Sequence, residues 1–182
     1  MTLDLSDPAF LALFNIGICT TEVYSETTDD SNFNLGANGN NAGVRYGVEI
    51  NSGNSGIGKY IEKLRFYVGR VGSPTGNCFA KVYDSSNVEQ ATSNAVDVTT
   101  IIASPGRQNL DMDLTTVHQL AVDDRIVLEY TNGSATNYIA VNARNLAIQA
   151  NFTHIYYDGT VWSDPNPAWR PRHTWDRDPT CP

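Results

Sequence analysis

The sequence predicts an all-β protein, a jelly-roll β-sandwich with extended N- and C-terminal arms. Apolar residues alternate with polar or small ones in many short segments, as in half-buried strands. Turns rich in Gly, Pro and Asn separate these segments at similar spacing. No segment carries the i, i+3, i+4, i+7 stripe of a long amphipathic helix. About eight strands joined by turns favour two packed antiparallel sheets.

A chain of 182 residues fits one domain. We assign residues 44–163 to the sandwich, residues 1–43 to an N-terminal arm, and residues 164–182, which are rich in Pro, Trp and Arg, to a C-terminal arm.

The strands are predicted in chain order from this alternation. They are residues 44–50, 64–71, 78–83, 109–114, 125–130, 137–142 and 152–157, with a further candidate at 20–27. The turn at 72–76 predicts a hairpin over residues 64–83, and Asp158-Gly159 predicts a turn into Val161-Trp162. Short helices or turns are predicted at residues 8–14 and near residues 98–103.

The charge is unevenly spread. The formal net charge is −8, from 12 Lys and Arg against 20 Asp and Glu. Six acids and no base lie in residues 1–44, so the rest of the chain holds 14 acids and all 12 bases. Nucleic-acid binding is not expected, because neutralising phosphates needs clustered basic residues.

Residues 8–19 form the most apolar stretch near the N-terminus. The stretch is too short to span a bilayer, which takes about 20 apolar residues, so membrane insertion is not expected. Asp4 and Asp7 precede it without any basic residue, which is atypical of a signal peptide. We therefore expect the N-terminus to be part of the working protein.

Three cysteines, Cys19, Cys78 and Cys181, leave at least one unpaired within the chain. One interpretation is buried thiols. The other is a single disulfide, Cys78–Cys181 or Cys19–Cys78, and the sequence does not choose between them.

No catalytic motif is present, and we predict a non-enzymatic protein with no catalytic residues. His118, His154 and His173 lie in no metal-binding pattern, and no nucleophile elbow or phosphate-binding loop occurs. Asp111 and Asp113 share one face of a predicted strand, but a glycosidase needs two carboxylates at a set separation in a cleft.

Calcium is the candidate cofactor. Ca²⁺ prefers six to eight oxygen ligands supplied by loops. The acidic pairs Asp29-Asp30 and Asp123-Asp124 are the candidate ligands, with Asp176 and Asp178 as further candidates. The alternative is that these are solvated turn carboxylates.

Aromatic and arginine residues gather towards the C-terminus, where we expect a binding or interface surface. They are Tyr156, Tyr157, Trp162, Trp169, Arg170, Arg172 and Trp175. One interpretation is a sugar platform. The favoured one is an anchor that holds the C-terminal arm to this subunit or a neighbour, since Trp, Tyr and Arg are typical of interfaces.

The N-terminal arm offers a second mode of contact. Residues 11–24 lack Lys and Arg and are apolar enough to add a strand to a neighbour's sheet edge. The alternative is that these residues form a strand or helix that packs on their own domain.

A family resemblance is carried by five segments: IEKLRFYV at 61–68, VGSPTG at 71–76, FAKVYD at 79–84, LAVDDRIVLEY at 120–130 and NYIAV at 137–141. They resemble jelly-roll modules of phage, archaeal-virus and microbial surface proteins. The resemblance covers about residues 44–163. It implies a jelly-roll fold and a virion or extracellular setting, and that family mixes structural subunits with carbohydrate-binding modules.

We therefore expect a self-assembling structural subunit of a virion, as a capsid decoration or tail component, or of an extracellular filament. Its partners would be copies of itself or other virion or filament subunits. The alternative is a lectin-like module that binds a cell-surface glycan.

Overall fold

The computed structural model describes residues 21–22, 31–36, 42–145, 152–163, 169–171, 173–174 and 176–177. The strands in these residues are β1 Thr21–Glu22, β2 Ser31–Leu35, β3 Ala42–Gly43, β4 Arg45–Ile50, β5 Tyr60–Val71, β6 Asn77–Tyr83, β7 Glu89–Thr92, β8 Val96–Asp97, β9 Gln108–Gln119, β10 Arg125–Glu129, β11 Tyr138–Asn145, β12 Phe152–Tyr157, β13 Trp162–Ser163, β14 Trp169–Pro171, β15 His173–Thr174 and β16 Asp176–Arg177.

Two seven-stranded sheets form the architecture. Sheet I has the order β13-β12-β4-β10-β6-β7, with β8 also paired to β6. Sheet II has the order β15-β5-β11-β2-β3, with β9 paired to β5 and β14 to β11. Among the described strands, every pair is antiparallel except β2–β3. The predicted all-β sandwich is confirmed in this coarser sense.

The described residues contain one short helix, the 3-10 turn Val98–Thr100, which Asp97 caps by accepting a hydrogen bond from the Thr99 amide at 2.9 Å. This confirms the short helix or turn predicted near residues 98–103. Within the same residues, no helix has the length and apolar character needed to cross a membrane.

The core lies between the two sheets because alternate residues of each strand face inward. Tyr46, Val48 and Ile50 of β4 are buried, as are Leu64, Phe66 and Val68 of β5. Phe33 of sheet II stacks on Tyr46 of sheet I, with ring centroids 4.0 Å apart and planes 2° apart.

The hairpin predicted over residues 64–83 is wrong. β5 belongs to sheet II and β6 to sheet I, so the turn at 72–76 carries the chain from one layer to the other. Pro74 is buried in this connection, and Gly72 and Gly76 have φ of 69° and 91°. Alternation with a period of two identifies the buried face of each strand. It does not show to which sheet a strand belongs, because strands of both sheets alternate in the same way.

Most other strand predictions are confirmed with shifted ends. Asp158-Gly159 does form a turn, since Tyr157 pairs with Trp162 and Tyr156 with Ser163 across β12 and β13. β5 and β9 are longer than predicted, and β7 was not predicted. Of the segment at 20–27, Thr21–Glu22 is a strand, and the predicted helix at 8–14 lies outside the described residues.

Both predicted arms contribute strands to sheet II. β2 and β3, from residues 1–43, extend it beyond β11, and β14 and β15 from residues 164–182 pair with β11 and β5. β1 and β16 pair with each other, with Thr21 opposite Arg177.

Cys78 is a buried free thiol on β6. Burial raises the pKa of this thiol to about 12. Both candidate disulfides involve Cys78, so the buried-thiol interpretation holds for this residue. Cys19 and Cys181 lie outside the described residues.

Candidate functional site

The outer face of sheet I carries a cluster of charged and aromatic side chains. The register places Tyr157, Arg45, Glu129 and Phe79 in one row across four strands. A second row contains Glu49, Arg125 and Tyr83. Because successive side chains alternate between faces, both rows project to the same side.

A small apolar cluster supports these rows. Tyr83, Val127 and Ile155 are buried there, with Trp162 packed against them. Gly47 lies between Val127 and Ile155 in the register. A Cβ at Gly47 would lie 1.8 Å from the Ile126 carbonyl oxygen, so the backbones at this point leave no room for a side chain. We call this surface, formed by Arg45, Tyr83, Glu129, Tyr157 and Trp162, the outer-face patch.

Glu129 is the hydrogen-bond acceptor at its centre. Its Oε2 accepts from Arg45 Nε at 2.5 Å and from the Tyr83 hydroxyl at 2.9 Å. Its Oε1 lies 2.7 Å from Lys81 Nζ. The residue is 9% exposed, so three donor groups of the protein take the place of water around this carboxylate.

These contacts shift three pKa values. Burial alone would raise the pKa of Glu129, but hydrogen bonds from Lys81, Arg45 and Tyr83 outweigh it and lower that pKa. Burial would lower the pKa of Lys81, but its bonds to Glu129 and Glu89 raise it. Burial and the bond to Glu129 raise the pKa of the Tyr83 hydroxyl to about 12.

Arg45 is surrounded by aromatic rings. Its guanidinium carbon lies 4.2 Å from the ring centroid of Tyr83, 4.7 Å from that of Tyr157 and 5.8 Å from that of Trp162. Distances below about 6 Å are those of cation–π contacts. The guanidinium is therefore held by a carboxylate and by three rings at once.

Trp162 is bound into the patch by polar contacts as well. Its Nε1 donates to Asn87 Oδ1 at 3.1 Å, an oxygen that also accepts from Arg45 at 3.2 Å. The Arg125 guanidinium carbon is 5.2 Å from the Trp162 ring centroid, and Arg125 Nε donates to Glu49 at 2.7 Å. Trp162 and Tyr157 both remain half-buried.

The residues predicted to form one aromatic surface lie at different places in the sandwich. Tyr157 and Trp162 lie together, with ring centroids 5.0 Å apart. Tyr156 packs against the core, with its ring centroid 5.6 Å from that of Phe33. The backbones of Trp169 and Arg170 lie on β14 in sheet II, whereas Arg172 and Trp175 fall outside the described residues.

Asp123 and Asp124 form a turn between β9 and β10. Asp124 is 3% exposed, and its Oδ2 accepts from the Ala121 amide at 2.8 Å and lies 2.7 Å from His118 Nε2. Asp123 is exposed and has φ of 66°. The two neighbouring carboxylates therefore occupy different environments, one bound to protein groups and the other in solvent.

Among the described residues, no group of three or more His, Cys, Asp or Glu is arranged to hold a metal ion. Asp29 and Asp30 lie outside them, as does Asp178. Calcium binding stays a prediction.

Sequence reasoning missed Arg45, Lys81, Tyr83 and Glu129 as members of one site. Their signal was present, since each is a polar or amphipathic residue on the solvent phase of a predicted strand. The alternation does not give the order in which strands lie in a sheet. The order β12-β4-β10-β6 places these residues side by side.

Comparisons with known proteins identify no relative of this chain, because no family model, curated protein or solved structure matches it.

Proposed function

We propose that this protein is a non-enzymatic structural subunit that assembles with copies of itself, or with other subunits, in a virion or an extracellular filament. The observation that carries this proposal is the outer-face patch. Its half-buried Trp162 and Tyr157 lie beside Arg45 and Arg125, and these three residue types dominate protein interfaces.

The charge balance of the patch and of the charged residues around it also favours a protein partner. Three cations, Arg45, Lys81 and Arg125, are paired with three carboxylates, Glu49, Glu89 and Glu129. Burying an unpaired charge in an interface is costly. A surface whose charges are already paired with one another has few such charges to lose water when a partner binds. The jelly-roll topology and the virion setting belong to this proposal through the resemblance of residues 44–163.

The proposal is tested first on the purified native protein. Sedimentation velocity over a range of concentrations should show oligomers, and electron microscopy should show particles or filaments. A protein that stays monomeric at high concentration, with and without calcium, would contradict the proposal.

The patch is then tested by Trp162→Ser and, separately, by Tyr157→Ser. Each should shift the protein towards monomer, because each removes an aromatic anchor. Val122→Ser, at an exposed apolar residue outside the patch, is the control and should leave assembly unchanged. Circular dichroism checks that every variant remains folded; unchanged assembly in folded Tyr157→Ser and Trp162→Ser would exclude the patch as an interface.

Glycan binding is the second candidate, and it uses the same surface. Tyr157, Trp162 and Asn87 provide rings and an amide, which suit a sugar. It ranks second because guanidinium groups of the same chain already lie near the Trp162 ring. A glycan array should give a signal that Trp162→Ser abolishes if this candidate is right.

A further inference from the structure

Sheet II ends in an open edge along β9. On one side, β9 pairs with β5 over residues 108–113 and again at 118–119. On its other side, the pairing within the described residues is limited to the isolated bridge between Ser93 and Leu114. Residues 108–112 therefore have no neighbouring strand on that side in the part of the chain that the structure describes. An open sheet edge is a place where another strand can add.

A hydrogen bond beside the bridge shows which backbone groups this edge leaves open. The Asp113 carbonyl accepts from the Asn94 amide at 3.3 Å, so it faces away from β5. Backbone groups alternate in direction along an antiparallel strand. The N–H and C=O groups of Asn109 and Asp111 therefore face the same open side, and both residues are exposed.

The hydrogen bonds of β5 give the same alternation independently. The Arg70 N–H donates to the Ile102 carbonyl at 2.9 Å, and the Arg70 carbonyl accepts from the Ser104 amide at 2.8 Å. Because β11 occupies the other side of Arg70, the even-numbered residues of β5 face β9. Phe66 is one of these, and it lies opposite Leu110. The backbone groups of Leu110 therefore bond to β5, and those of its neighbours face outward.

The side chains along this edge carry paired charges. Asp111 accepts from Arg65 Nη2 at 3.0 Å, and Asp113 lies 3.2 Å from Lys63 Nζ. Asn109 is neutral. Although the whole chain has a net charge of −8, two copies of this edge can approach each other without bringing unpaired like charges together. Charge therefore favours an identical edge as the partner.

We propose that β9 of one copy pairs antiparallel with β9 of a second copy, so that sheet II continues from one molecule into the next. This inference rests on the proposed self-assembly. In a register centred on Leu110, Asn109 of each copy lies opposite Asp111 of the other. The outward N–H and C=O groups of these two residues then form two hydrogen bonds in each pair, and none of them is left open.

The side chains select this register. The Asn109 amide can donate to the opposed Asp111 carboxylate, because directly opposed side chains on one face are within reach. Leu110, which is buried, lies opposite its own equivalent on the core side. A register centred on Asp111 would instead oppose two carboxylates, and it would use the Asp113 carbonyl that already accepts from Asn94.

This contact is separate from the outer-face patch, which lies on sheet I. A contact between identical surfaces around a twofold axis closes at the dimer. Two different contacts of this kind on one subunit allow growth beyond the dimer, which a virion or a filament requires. The β9 contact therefore supplies the second contact that the proposed assembly needs.

Cysteines at the opposed positions test the register on the full-length protein. One chain carries Asn109→Cys and a second, tagged chain carries Asp111→Cys, both with Cys19→Ser and Cys181→Ser. The chains are mixed at a concentration at which the native protein is oligomeric, and are then oxidised mildly. Opposed residues of a hydrogen-bonded pair lie about 5.5 Å apart at Cα, within the range of a disulfide.

The disulfide between the two kinds of chain should be the main product, well above the share that random pairing would give. Two copies of residue 109, or two of residue 111, lie diagonally in this register, about 7–8 Å apart, and should crosslink poorly. A random mixture of products, or one dominated by the disulfide between two copies of residue 111, would overturn the proposed pairing.

Asn109→Pro tests the backbone contact without new thiols. The proline removes an N–H that faces away from β5, a position that edge strands tolerate. Sedimentation velocity should show the loss of assemblies larger than a dimer. Asn109→Ala, which keeps the N–H, is the matched control and should reduce assembly much less. Circular dichroism checks that both variants remain folded, and the disulfide experiment decides the matter if Asn109→Pro does not fold.

The outcomes separate this contact from the proposed function. If oligomers form without the predicted disulfide and folded Asn109→Pro assembles normally, the β9 contact is wrong and assembly through the outer-face patch stands. If the disulfide forms but the native protein never grows beyond a dimer, the β9 contact stands and assembly into a virion or filament is wrong. If no oligomer forms at any concentration, both are wrong.

Discussion

Arg45 donates through Nε to Glu129 Oε2 at 2.5 Å while its guanidinium carbon lies 4.2 Å from the Tyr83 ring centroid. Arg45 and Glu129 are directly opposed on β4 and β10, and Tyr83 reaches the same carboxylate from β6. Three adjacent strands are thereby joined on the solvent side of sheet I. We therefore expect this face to add to the stability of the sheet beyond what the core contributes.

Glu129→Gln should lower the free energy of unfolding by about 1–3 kcal/mol, because it leaves Arg45 without its carboxylate and Lys81 with Glu89 alone, in a poorly solvated position. Equilibrium unfolding in urea measures the change. Asp113→Asn is the matched control, since it removes an exposed ion pair with Lys63, and no measurable loss is expected. Equal, negligible effects from both variants would show that the Glu129 contacts add nothing to stability.

Stability should fall in acid partly through Glu129. Its pKa is lower in the folded protein than its ordinary value, so its contribution is present above the ordinary pKa and is lost as the pH falls through the folded pKa. Between neutral pH and about pH 3, Glu129→Gln should therefore lose less unfolding free energy than the native protein. Asp111, whose pKa Arg65 also lowers, should retain its own acid dependence in that variant. Identical pH profiles for the two proteins would contradict the coupling.

Phe33→Ala should cost about 3–5 kcal/mol of unfolding free energy, because it removes a fully buried ring that joins the two sheets. The result also tests whether Ser31–Leu35 is part of the folded core. Val88→Ala, at a residue that is 55% exposed, is the control and should change little. Urea unfolding of both variants provides the comparison, and a small loss for Phe33→Ala would place that strand outside the core.

Asp124→Asn should lower unfolding free energy by about 1–3 kcal/mol, since its buried carboxylate is bound by His118 and the Ala121 amide. The loss should be equal in excess chelator and in calcium. Asp123→Asn is the control: its side chain is exposed, and Asn tolerates a φ of 66° well. Thermal melts of Asp124→Asn and Asp123→Asn, each in excess chelator and in calcium, check this expectation. A loss of stability seen only with calcium present would instead support a calcium site.

The sequence predicted a substantial part of the fold because strand alternation is a local property. The buried residues Val48, Val82 and Leu128 all lie on the predicted apolar phase of their strands. The turn at Asp158-Gly159 was predictable for a similar reason: Asp158 Oδ1 accepts from the amides of Thr160 and Val161, so the turn is made within a few residues.

The candidate site was predictable only in part. Trp162 and Tyr157 were identified by residue type, and they meet because they are opposed across one short turn. Arg45 and Glu129 are 84 residues apart, and their contact exists only because β4 and β10 are neighbours in sheet I. Tyr156 was grouped with Tyr157, although consecutive strand residues face opposite sides of the sheet.

By itself, the sequence determined that this protein is built of strands, and which face of most strands is apolar. Only the tertiary structure decided that the turn at 72–76 passes between layers and that β14 and β15 pair with β11 and β5 in sheet II. The physical reason is that alternation depends on burial of one face, whereas the choice of neighbouring strand depends on hydrogen bonds and packing between residues far apart in the chain.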